Sequence, residues 1–268
     1  MENTIANKSS KLNAILKEMD SFIVAFSGGV DSSFLLHSAG KIRKNGIMAV
    51  TIKTPYIPDR EIEEATEFAG RFGVKHTVLE LTFPELIRNN PLDRCYQCKR
   101  TLFTEILKFA SDNAYQYIID GTNADDTGDY RPGMKALREL GIRSPLLESG
   151  LTKHDIRELA KNEKLDIWDK PAMACLLTRI PYNTEVTEGM LRMIEEAENI
   201  MLIAGYPGTR VRIHGDVARI ECLPGFFKRI TADPDRKHII SNLKRIGFRY
   251  VSLDLEGYRT GSSNPETV

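Results

Sequence analysis

The sequence predicts an α/β protein, a doubly wound parallel sheet with a smaller α+β domain at the C-terminal end. Two observations carry this prediction. Short apolar runs alternate with amphipathic helical stretches over the first two thirds of the chain. A turn rich in glycine and serine lies where the first run passes into the first helical stretch, which is where open α/β sheets bind ligands.

Four apolar runs are the predicted parallel strands, because a strand buried on both faces has a continuous apolar sequence. They cover residues 22–26, 47–52, 74–81 and 117–120. Helical spacing of apolar residues predicts helices over 30–43, 59–72, 99–114 and 152–163. This alternation is typical of a doubly wound sheet.

The pattern changes near Pro181. From there the sequence predicts a helix over 187–204, strands over 210–213 and 217–223, a helix over 236–245 and a strand over 248–255. This order indicates an α+β module with an antiparallel sheet. We therefore expect a nucleotide-binding domain over 1–180 and a substrate-binding or oligomerisation domain over 181–268, with residues 261–268 disordered.

Composition excludes several classes of function. The 268 residues include 37 basic and 37 acidic side chains, so the net charge is zero and tRNA is not an expected partner. Four cysteines are too few for a secreted disulfide scaffold. The polar N-terminus has no signal sequence and no run of 18 apolar residues occurs. We expect a cytoplasmic protein without membrane contact.

The strongest motif follows the first predicted strand. It reads Ser27, Gly28, Gly29, Val30, Asp31, Ser32 and Ser33. Glycines let the backbone approach an anion, a helix N-terminus supplies N–H donors, and the Asp31 carboxylate can hold Mg²⁺. A glycine turn with a polar N-cap is the simpler interpretation. The lysine of a Walker P-loop is missing.

A second group of residues suggests metal or redox chemistry. Cys95 and Cys98 form a Cys-x-x-Cys motif at a helix entrance, and Cys175 follows about 80 residues later. Spacing alone does not decide what the motif does, so four interpretations remain open. They are a zinc site, a redox dithiol, a three-cysteine iron–sulfur cluster and a purely structural pair of cysteines. Cys222, inside a predicted strand, is interpreted as a packing residue.

Polar residues elsewhere are candidates for binding a nucleotide. Arg210 and Arg212 alternate along a predicted strand, so both lie on one face and suit a phosphate, although a solvated strand face has the same pattern. Arg179 can orient a carboxylate or phosphate. Asp125 and Asp126 follow a strand, as metal or ribose ligands do, but an ordinary acidic turn looks the same.

The Ser-Gly-Gly-x-Asp-Ser motif resembles the pyrophosphate loop of the PP-loop ATP pyrophosphatases. Further segments resemble one branch of that superfamily, the LarE family of ATP-dependent sulfur transferases in nickel-pincer nucleotide synthesis. These segments are residues 121–126, 143–146, 170–172 with 174–176, 179–182, 210–216, 218–221 and 257–262. They follow one another along nearly the whole chain.

The resemblance implies a fold of the adenine nucleotide alpha hydrolase type and a specific reaction. ATP with Mg²⁺ adenylates a carboxylate of a pyridinium biscarboxylate mononucleotide, and sulfur then displaces AMP. The implied ATP-binding residues are Ser27, Gly28, Gly29, Val30, Asp31, Ser32, Ser33, Gly121, Asn123 and Asp125. Arg179, Arg210 and Arg212 are implied to hold the substrate phosphate.

The resemblance also implies two sources of sulfur. Some family members sacrifice a cysteine at the position of Cys175, whereas members with two further cysteines carry a [4Fe–4S] cluster that holds sulfide. This chain has Cys95, Cys98 and Cys175, so the cluster type is expected, with sulfide or another sulfur donor as partner. Family members also imply a homo-oligomer. A tRNA-thiolating PP-loop enzyme and a non-catalytic nucleotide sensor are the alternative hypotheses.

Overall fold

A computed structural model describes residues 4–43, 45–128, 132–171 and 174–259 of the chain. The described residues form two compact units. The first is drawn from Met1–Pro84 and Asp93–Met173, the second from Glu85–Leu92 and Ala174–Val268. The segment 261–268, predicted to be disordered, lies outside the described residues.

The first unit contains the predicted parallel sheet. Its strands are β1 (Phe22–Ala25), β2 (Ile47–Lys53), β3 (Lys75–Glu80) and β4 (Tyr117–Ile119), in the order β3-β2-β1-β4. All pairs are parallel, and Phe22 pairs with both Ile47 and Tyr117. The α/β class and the parallel sheet predicted from sequence are therefore confirmed.

Seven helices of the first unit lie in the described ranges. They are α1 (Ile5–Glu18), α2 (Val30–Ile42), α3 (Asp59–Arg71), α4 (Arg94–Asp112), α5 (Pro132–Glu139), α6 (Pro145–Glu148) and α7 (Lys153–Asn162). The sequence did not predict α1, α5 and α6. Helix α1 is mostly polar, yet it buries Leu12, Ile15 and Leu16 at helical spacing. Helix α4 begins at Arg94, five residues before the prediction, and so includes both Cys95 and Cys98.

Both faces of the sheet are covered, as the continuous apolar strands predicted. Phe22 and Val24 belong to one buried cluster, with Phe34 of α2 and Leu16 of α1. The next residue on β1, Ile23, points to the opposite side and joins a second cluster. That cluster also contains Met48, Val50, Phe103 and Ile106. Alternation along a strand therefore supplies apolar side chains to two cores at once.

The second unit contains α8 (Glu188–Ile203), β5 (Arg210–His214), β6 (Val217–Glu221), α9 (Phe227–Ile230), α10 (Asp235–Arg245) and β7 (Tyr250–Leu253). Strands β5 and β6 are antiparallel, as a hairpin requires. Strands β6 and β7 are parallel, so the prediction of a fully antiparallel sheet was wrong. The reason is that the helical connection between them returns the chain to the same end of the sheet.

Short 3-10 turns complete the two units. They cover Glu85–Ile87, Ala124–Gly128, Leu176–Arg179 and Pro224–Phe226. Asn90 is fully buried in the second unit, and its side-chain amide donates to the carbonyls of Leu177, Ile180 and Pro181. This explains why the segment Glu85–Leu92 packs with residues much later in the chain. Across the described ranges, no helix is both long and apolar enough to cross a membrane.

Candidate functional site

The glycine-rich loop lies between the end of β1 at Ala25 and the start of α2 at Val30. Gly28 has φ +70°, a left-handed conformation that L side chains rarely adopt. A Cβ at Gly28 would lie 3.0 Å from the Cβ of Ala65 on α3. Both the backbone conformation and the close approach of α3 therefore require glycine at this position.

Hydroxyl groups fix the shape of the loop from inside. The Oγ atoms of Ser27 and Ser32 lie 3.1 Å apart, and Ser32 Oγ also donates to the carbonyl of Gly29 at 3.2 Å. The backbone N–H of Ser33 donates to the same carbonyl, while the Ser33 side chain is fully buried. The hydroxyls of Ser27 and Ser32 therefore form hydrogen bonds within the loop and fix its shape. The Ser33 side chain instead faces the interior of the first unit.

Asp31 lies in the first turn of α2 and pairs with a lysine that the sequence analysis did not select. Its Oδ2 is 2.5 Å from Nζ of Lys153, the first residue of α7. Its Oδ1 is buried and has no hydrogen-bond partner among the described residues. Burial raises the pKa of Asp31, and the Lys153 ammonium partly offsets that rise. The carboxylate therefore keeps one oxygen available to a cation or another donor.

A second lysine holds the loop from outside. Lys170 donates from Nζ to the carbonyl of Gly28 at 2.9 Å and pairs with Glu64 of α3 at 2.6 Å. Arg157 donates to the carbonyl of Lys170 at 2.7 Å and so fixes the backbone from which this side chain extends. Two lysines and an arginine thus surround a loop whose own residues carry a single charge, the negative charge of Asp31.

The loop after β4 packs directly on the start of α2. A Cβ at Gly121 would lie 2.9 Å from the backbone nitrogen of Ser32, so only glycine permits this approach. Asn123 is buried, and its Oδ1 accepts from the N–H of Asp125 at 3.0 Å. Asp125 in turn accepts from the N–H of Lys153 at 2.8 Å. These contacts place the predicted residues Gly121, Asn123 and Asp125 beside the loop and the N-terminus of α7.

The Cys-x-x-Cys motif forms the first turn of α4. Cys95 is exposed and Cys98 is half-buried, and residues three apart on a helix share a face. The Sγ of Cys98 lies 3.2 Å from the hydroxyl oxygen of Tyr56. None of the four cysteines, all within the described ranges, forms a disulfide.

Cys175 belongs to the second unit, where it precedes the 3-10 turn Leu176–Arg179. Its carbonyl accepts from the N–H and the hydroxyl of Thr178 and from Nη1 of Arg179. Arg179 is 4% exposed and makes a bidentate pair with Glu198 of α8, at 2.8 and 3.1 Å. Arg179 therefore holds the backbone of the cysteine segment against α8.

Arg210 and Arg212 lie on one face of β5, as their spacing predicted. Arg212 is buried, pairs with Glu221 through two nitrogens and donates to the carbonyl of Thr178 at 2.5 Å. Arg210 lies 3.8 Å from Glu198 and 5.5 Å from the ring centre of Tyr258. The guanidinium nitrogens of Arg212 thus donate hydrogen bonds to groups of the protein itself.

A group of arginines in the second unit forms ion pairs with carboxylates. Each of these arginines lies within ion-pair distance of at least one carboxylate; they are Arg179, Arg210, Arg212 and Arg219. The carboxylates are those of Glu198, Glu221 and Asp254.

The structure separates Cys222 from this chemistry. The side chain is fully buried in the second unit, and burial raises the pKa of its thiol. Within either compact unit, the described residues contain no group of three or more His, Cys, Asp or Glu side chains that could hold a metal ion. Cys222 is accordingly a packing residue of the second unit.

Sequence reasoning missed Lys153, Lys170 and Glu64. Lys153 lies 122 residues from its partner Asp31, and Lys170 lies 142 residues from Gly28. A weak signal existed for Lys153, because it stands at the start of the helix predicted over 152–163, directly after Thr152, which is the N-cap of α7 in the structure. Glu64 had no signal of its own, since an acidic residue on an amphipathic helix is common.

Comparison with known proteins shows which family the chain resembles. Residues 17–105 match the family model described as asparagine synthase. The chain is 36% identical over 263 residues to an uncharacterized protein of Synechocystis sp., covering 97% of this chain and 98% of that protein. It is 27% identical over 195 residues to the tRNA-specific 2-thiouridylase of Rickettsia africae, covering 58% of this chain and 53% of the relative.

A further relative identifies the branch. The chain is 35% identical over 264 residues to the pyridinium-3,5-bisthiocarboxylic acid mononucleotide synthase of Lactiplantibacillus plantarum. The match covers 97% of this chain and 95% of the relative, so both compact units are included. The chain therefore belongs to the family of pyridinium-3,5-bisthiocarboxylic acid mononucleotide synthases, the LarE branch of the PP-loop ATP pyrophosphatases.

Proposed function

We propose that this chain is an ATP-dependent sulfur transferase that converts a carboxylate of a pyridinium biscarboxylate mononucleotide into a thiocarboxylate. The observation that carries the proposal is the loop 27–33, in which Asp31 faces Lys153 at the N-terminal end of α2. The name of the Lactiplantibacillus plantarum relative supports the acceptor.

The chemistry needs activation because a carboxylate has no leaving group other than oxide. A carboxylate oxygen attacks the α-phosphorus of ATP, the bond to the β-phosphate oxygen breaks, and pyrophosphate leaves. A sulfur nucleophile then attacks the acyl carbon, and AMP departs with the bridging oxygen. Loop N–H groups and the α2 N-terminus stabilise the charge that develops on pyrophosphate.

Mg²⁺ would be held by carboxylates next to this loop. Asp31 has a buried Oδ1 without a hydrogen-bond partner in the described ranges, and Asp125 lies beside the same lysine through its contact with the Lys153 N–H. Carboxylate oxygens are the ligands that Mg²⁺ prefers. When bound, the ion supplies charge neutralisation for the phosphates. Lys153 and Lys170 supply further positive charge from the protein.

We further propose a [4Fe–4S] cluster on Cys95, Cys98 and Cys175 as the source of sulfur. Cys95 and Cys98 fit as ligands, because two thiols outside any disulfide lie one helical turn apart at the N-terminal end of α4. When bound, the cluster supplies an iron site for sulfide. The alternative is that Cys175 gives up its own sulfur.

The second unit is proposed to hold the substrate phosphate. Arg210 and Arg212 lie on one face of β5, and Arg179 secures the segment that carries Cys175. We propose the same division along the sequence, with ATP chemistry in residues 1–180 and substrate binding or oligomerisation in 181–268. The proposed partners are sulfide or another sulfur donor and further copies of the chain.

The proposal is tested by incubating the anaerobically purified protein with ATP, Mg²⁺, sulfide and pyridinium-3,5-biscarboxylic acid mononucleotide. Mass spectrometry should detect replacement of a carboxylate oxygen by sulfur, with one AMP and one pyrophosphate released per sulfur. Asp31→Asn should abolish pyrophosphate release. Release of AMP without a sulfur-containing product, or no reaction of the wild type, would contradict the proposal.

A tRNA-thiolating activity is the second candidate, because of the likeness to the tRNA-specific 2-thiouridylase over 58% of this chain. The zero net charge disfavours it, since tRNA binding uses many phosphate contacts. Two results would favour tRNA over the mononucleotide as substrate. The protein would bind tRNA with an affinity that falls steeply as the salt concentration rises, and the same assay would yield thiolated tRNA.

A further inference from the structure

The peptide between Gly28 and Gly29 has an orientation that these two residues do not fix by themselves. Neither residue carries a Cβ, so the steric barrier that opposes rotation of a peptide plane in other sequences is small here. The carbonyl of Gly28 and the N–H of Gly29 belong to one planar, trans unit and therefore point in opposite directions. Turning this peptide over would exchange a hydrogen-bond donor for an acceptor at the tip of the loop.

Lys170 holds this peptide by its acceptor end. The Nζ of Lys170 donates to the carbonyl of Gly28 at 2.9 Å, and the lysine side chain is 18% exposed. The N–H of Gly29 consequently points away from the ammonium, to the side where it meets Ser27 Oγ at 3.4 Å. That distance is longer than an ordinary N–H···O hydrogen bond, so a charged phosphate oxygen would be the stronger acceptor for this N–H.

Lys170 is itself held at both of its ends. Its ammonium pairs with one oxygen of Glu64 on α3 at 2.6 Å, and the other oxygen of Glu64 pairs with Arg60 one turn earlier at 3.2 Å. At the backbone end, Arg157 donates to the carbonyls of Lys170 and Trp168. All of these residues belong to the first compact unit. A lysine held in this way loses little further conformational freedom when it donates to the loop.

We propose that Lys170 is a positioning residue that keeps the Gly28–Gly29 peptide turned with its N–H toward the bound phosphates and its carbonyl away from them. A carbonyl oxygen turned toward a polyphosphate would repel it, because both carry negative charge. Two consecutive glycines make that reversal easy, so the loop needs a contact from outside to prevent it. This inference rests on the proposed function, because it assumes that the loop 27–33 binds the pyrophosphate part of ATP.

The first test measures the binding of MgATP and of AMP to the full chain by calorimetry. Lys170→Met removes the ammonium, so the affinity for MgATP should fall about tenfold, as for the loss of one hydrogen bond from a charged donor. The affinity for AMP, which lacks the β- and γ-phosphates, should fall much less. Lys170→Arg keeps a charged donor and should retain most of the MgATP affinity. Lys161→Met is the matched control, because its ammonium lies 4.8 Å from the ring centre of Trp168 in the same segment.

The outcomes separate this inference from the proposed function. Lys161→Met should bind MgATP like the wild type. Equal losses of MgATP and AMP affinity in Lys170→Met would indicate general damage to the unit and would overturn the inference, as would an unchanged MgATP affinity. Either result leaves the proposed function intact. Failure of the wild type to bind MgATP would overturn both.

A second test separates positioning from direct contact with the phosphates. Gly29 has φ −76° and ψ 166°, which alanine also adopts, and a Cβ there would lie 3.4 Å from Ser27 Oγ, an ordinary contact. Turning the peptide over would carry φ of residue 29 to positive values, which alanine rarely adopts. Gly29→Ala should therefore favour the present orientation even without the lysine, so Lys170→Met should weaken MgATP binding less in that background than in the wild-type loop. An equal loss in both backgrounds would mean that the ammonium acts on the phosphates directly, which contradicts a positioning role.

Discussion

The ammonium of Lys153 lies 2.5 Å from the carboxylate of Asp31, in the loop where β1 meets α2. This ion pair joins two residues 122 positions apart in the sequence. It leaves the second Asp31 oxygen buried without a hydrogen-bond partner in the described part of the chain. An acid held in this way is poised to exchange its ammonium neighbour for a hydrated divalent cation.

Removing the ammonium should weaken MgATP binding most at low pH. Burial already raises the pKa of Asp31, and Lys153→Met would raise it further because the compensating charge is lost. A protonated carboxyl cannot hold Mg²⁺, so at pH 6 the dissociation constant of the variant should be higher than that of the wild type. The difference from the wild type should shrink at pH 8. Calorimetry at both pH values checks this, with Lys108→Met on exposed α4 surface as control.

Glycine at position 28 should be required for both its conformation and its closeness to α3. Gly28→Ala combines φ +70° with a Cβ 3.0 Å from Ala65, so we expect loss of MgATP binding. Gly150→Ala is the control for conformation alone, because Gly150 has φ +76° but no neighbouring atom within 4 Å of the position that a Cβ would take. The double variant Gly28→Ala/Ala65→Gly should recover part of the affinity. No recovery would mean that the contact with α3 is unimportant.

Breaking the buried ion pair of the second unit should destabilise it strongly. Glu221 is 2% exposed and accepts from Arg212 and Arg219, so Glu221→Gln removes a carboxylate that pairs with a buried guanidinium. The expected loss in the free energy of unfolding is about 3–5 kcal/mol. Glu256→Gln breaks an exposed pair with Arg259 and should cost at most about 1 kcal/mol. Urea denaturation measures both, and equal losses would contradict the account.

His76 should make the first unit sensitive to acid. Its Nε2 lies 2.8 Å from the Thr51 hydroxyl, which donates to the carbonyl of Phe26 just before the loop. Burial lowers the pKa of His76 below 6.5, so acidification protonates the unfolded chain first. The contribution of this site to stability is complete above about pH 6.5 and is lost as the pH falls below that value.

The corresponding measurement is the free energy of unfolding between pH 7 and pH 5. The decrease should be smaller in His76→Gln than in the wild type. It should not vanish, because burial also lowers the pKa of His37 and His214. His154→Gln, at a side chain that is 86% exposed, should behave like the wild type. A decrease in His76→Gln as large as that of the wild type would contradict a role for buried His76 in the acid sensitivity.

The parts predictable from sequence are those encoded by neighbouring residues. The strand, glycine turn and helix around Gly28 are contiguous, so local pattern and turn chemistry were sufficient. Helix α1 was missed because its few apolar residues are hidden in a polar segment. The parallel pairing of β6 with β7 depends on how a helical connection returns, which strand periodicity does not encode.

In the candidate site, too, only residues with a local sequence pattern could be predicted. The loop residues and the cysteines are recognisable by type and spacing, whereas Lys153, Lys170 and Tyr56 matter only through partners far away in the sequence. A lysine at a helix start or a tyrosine after a strand has no distinctive pattern. Only the folded chain shows what these side chains contact.

The most direct test of the central claim is the number of sulfur atoms transferred per chain. Anaerobic protein reconstituted with iron and sulfide should, with ATP, Mg²⁺, substrate and excess sulfide, form several thiocarboxylates per chain, while the mass of the Cys175 peptide stays unchanged. Formation of at most one thiocarboxylate per chain, with the Cys175 peptide lighter by one H₂S, would contradict a cluster-borne sulfur and show that the cysteine itself is the donor.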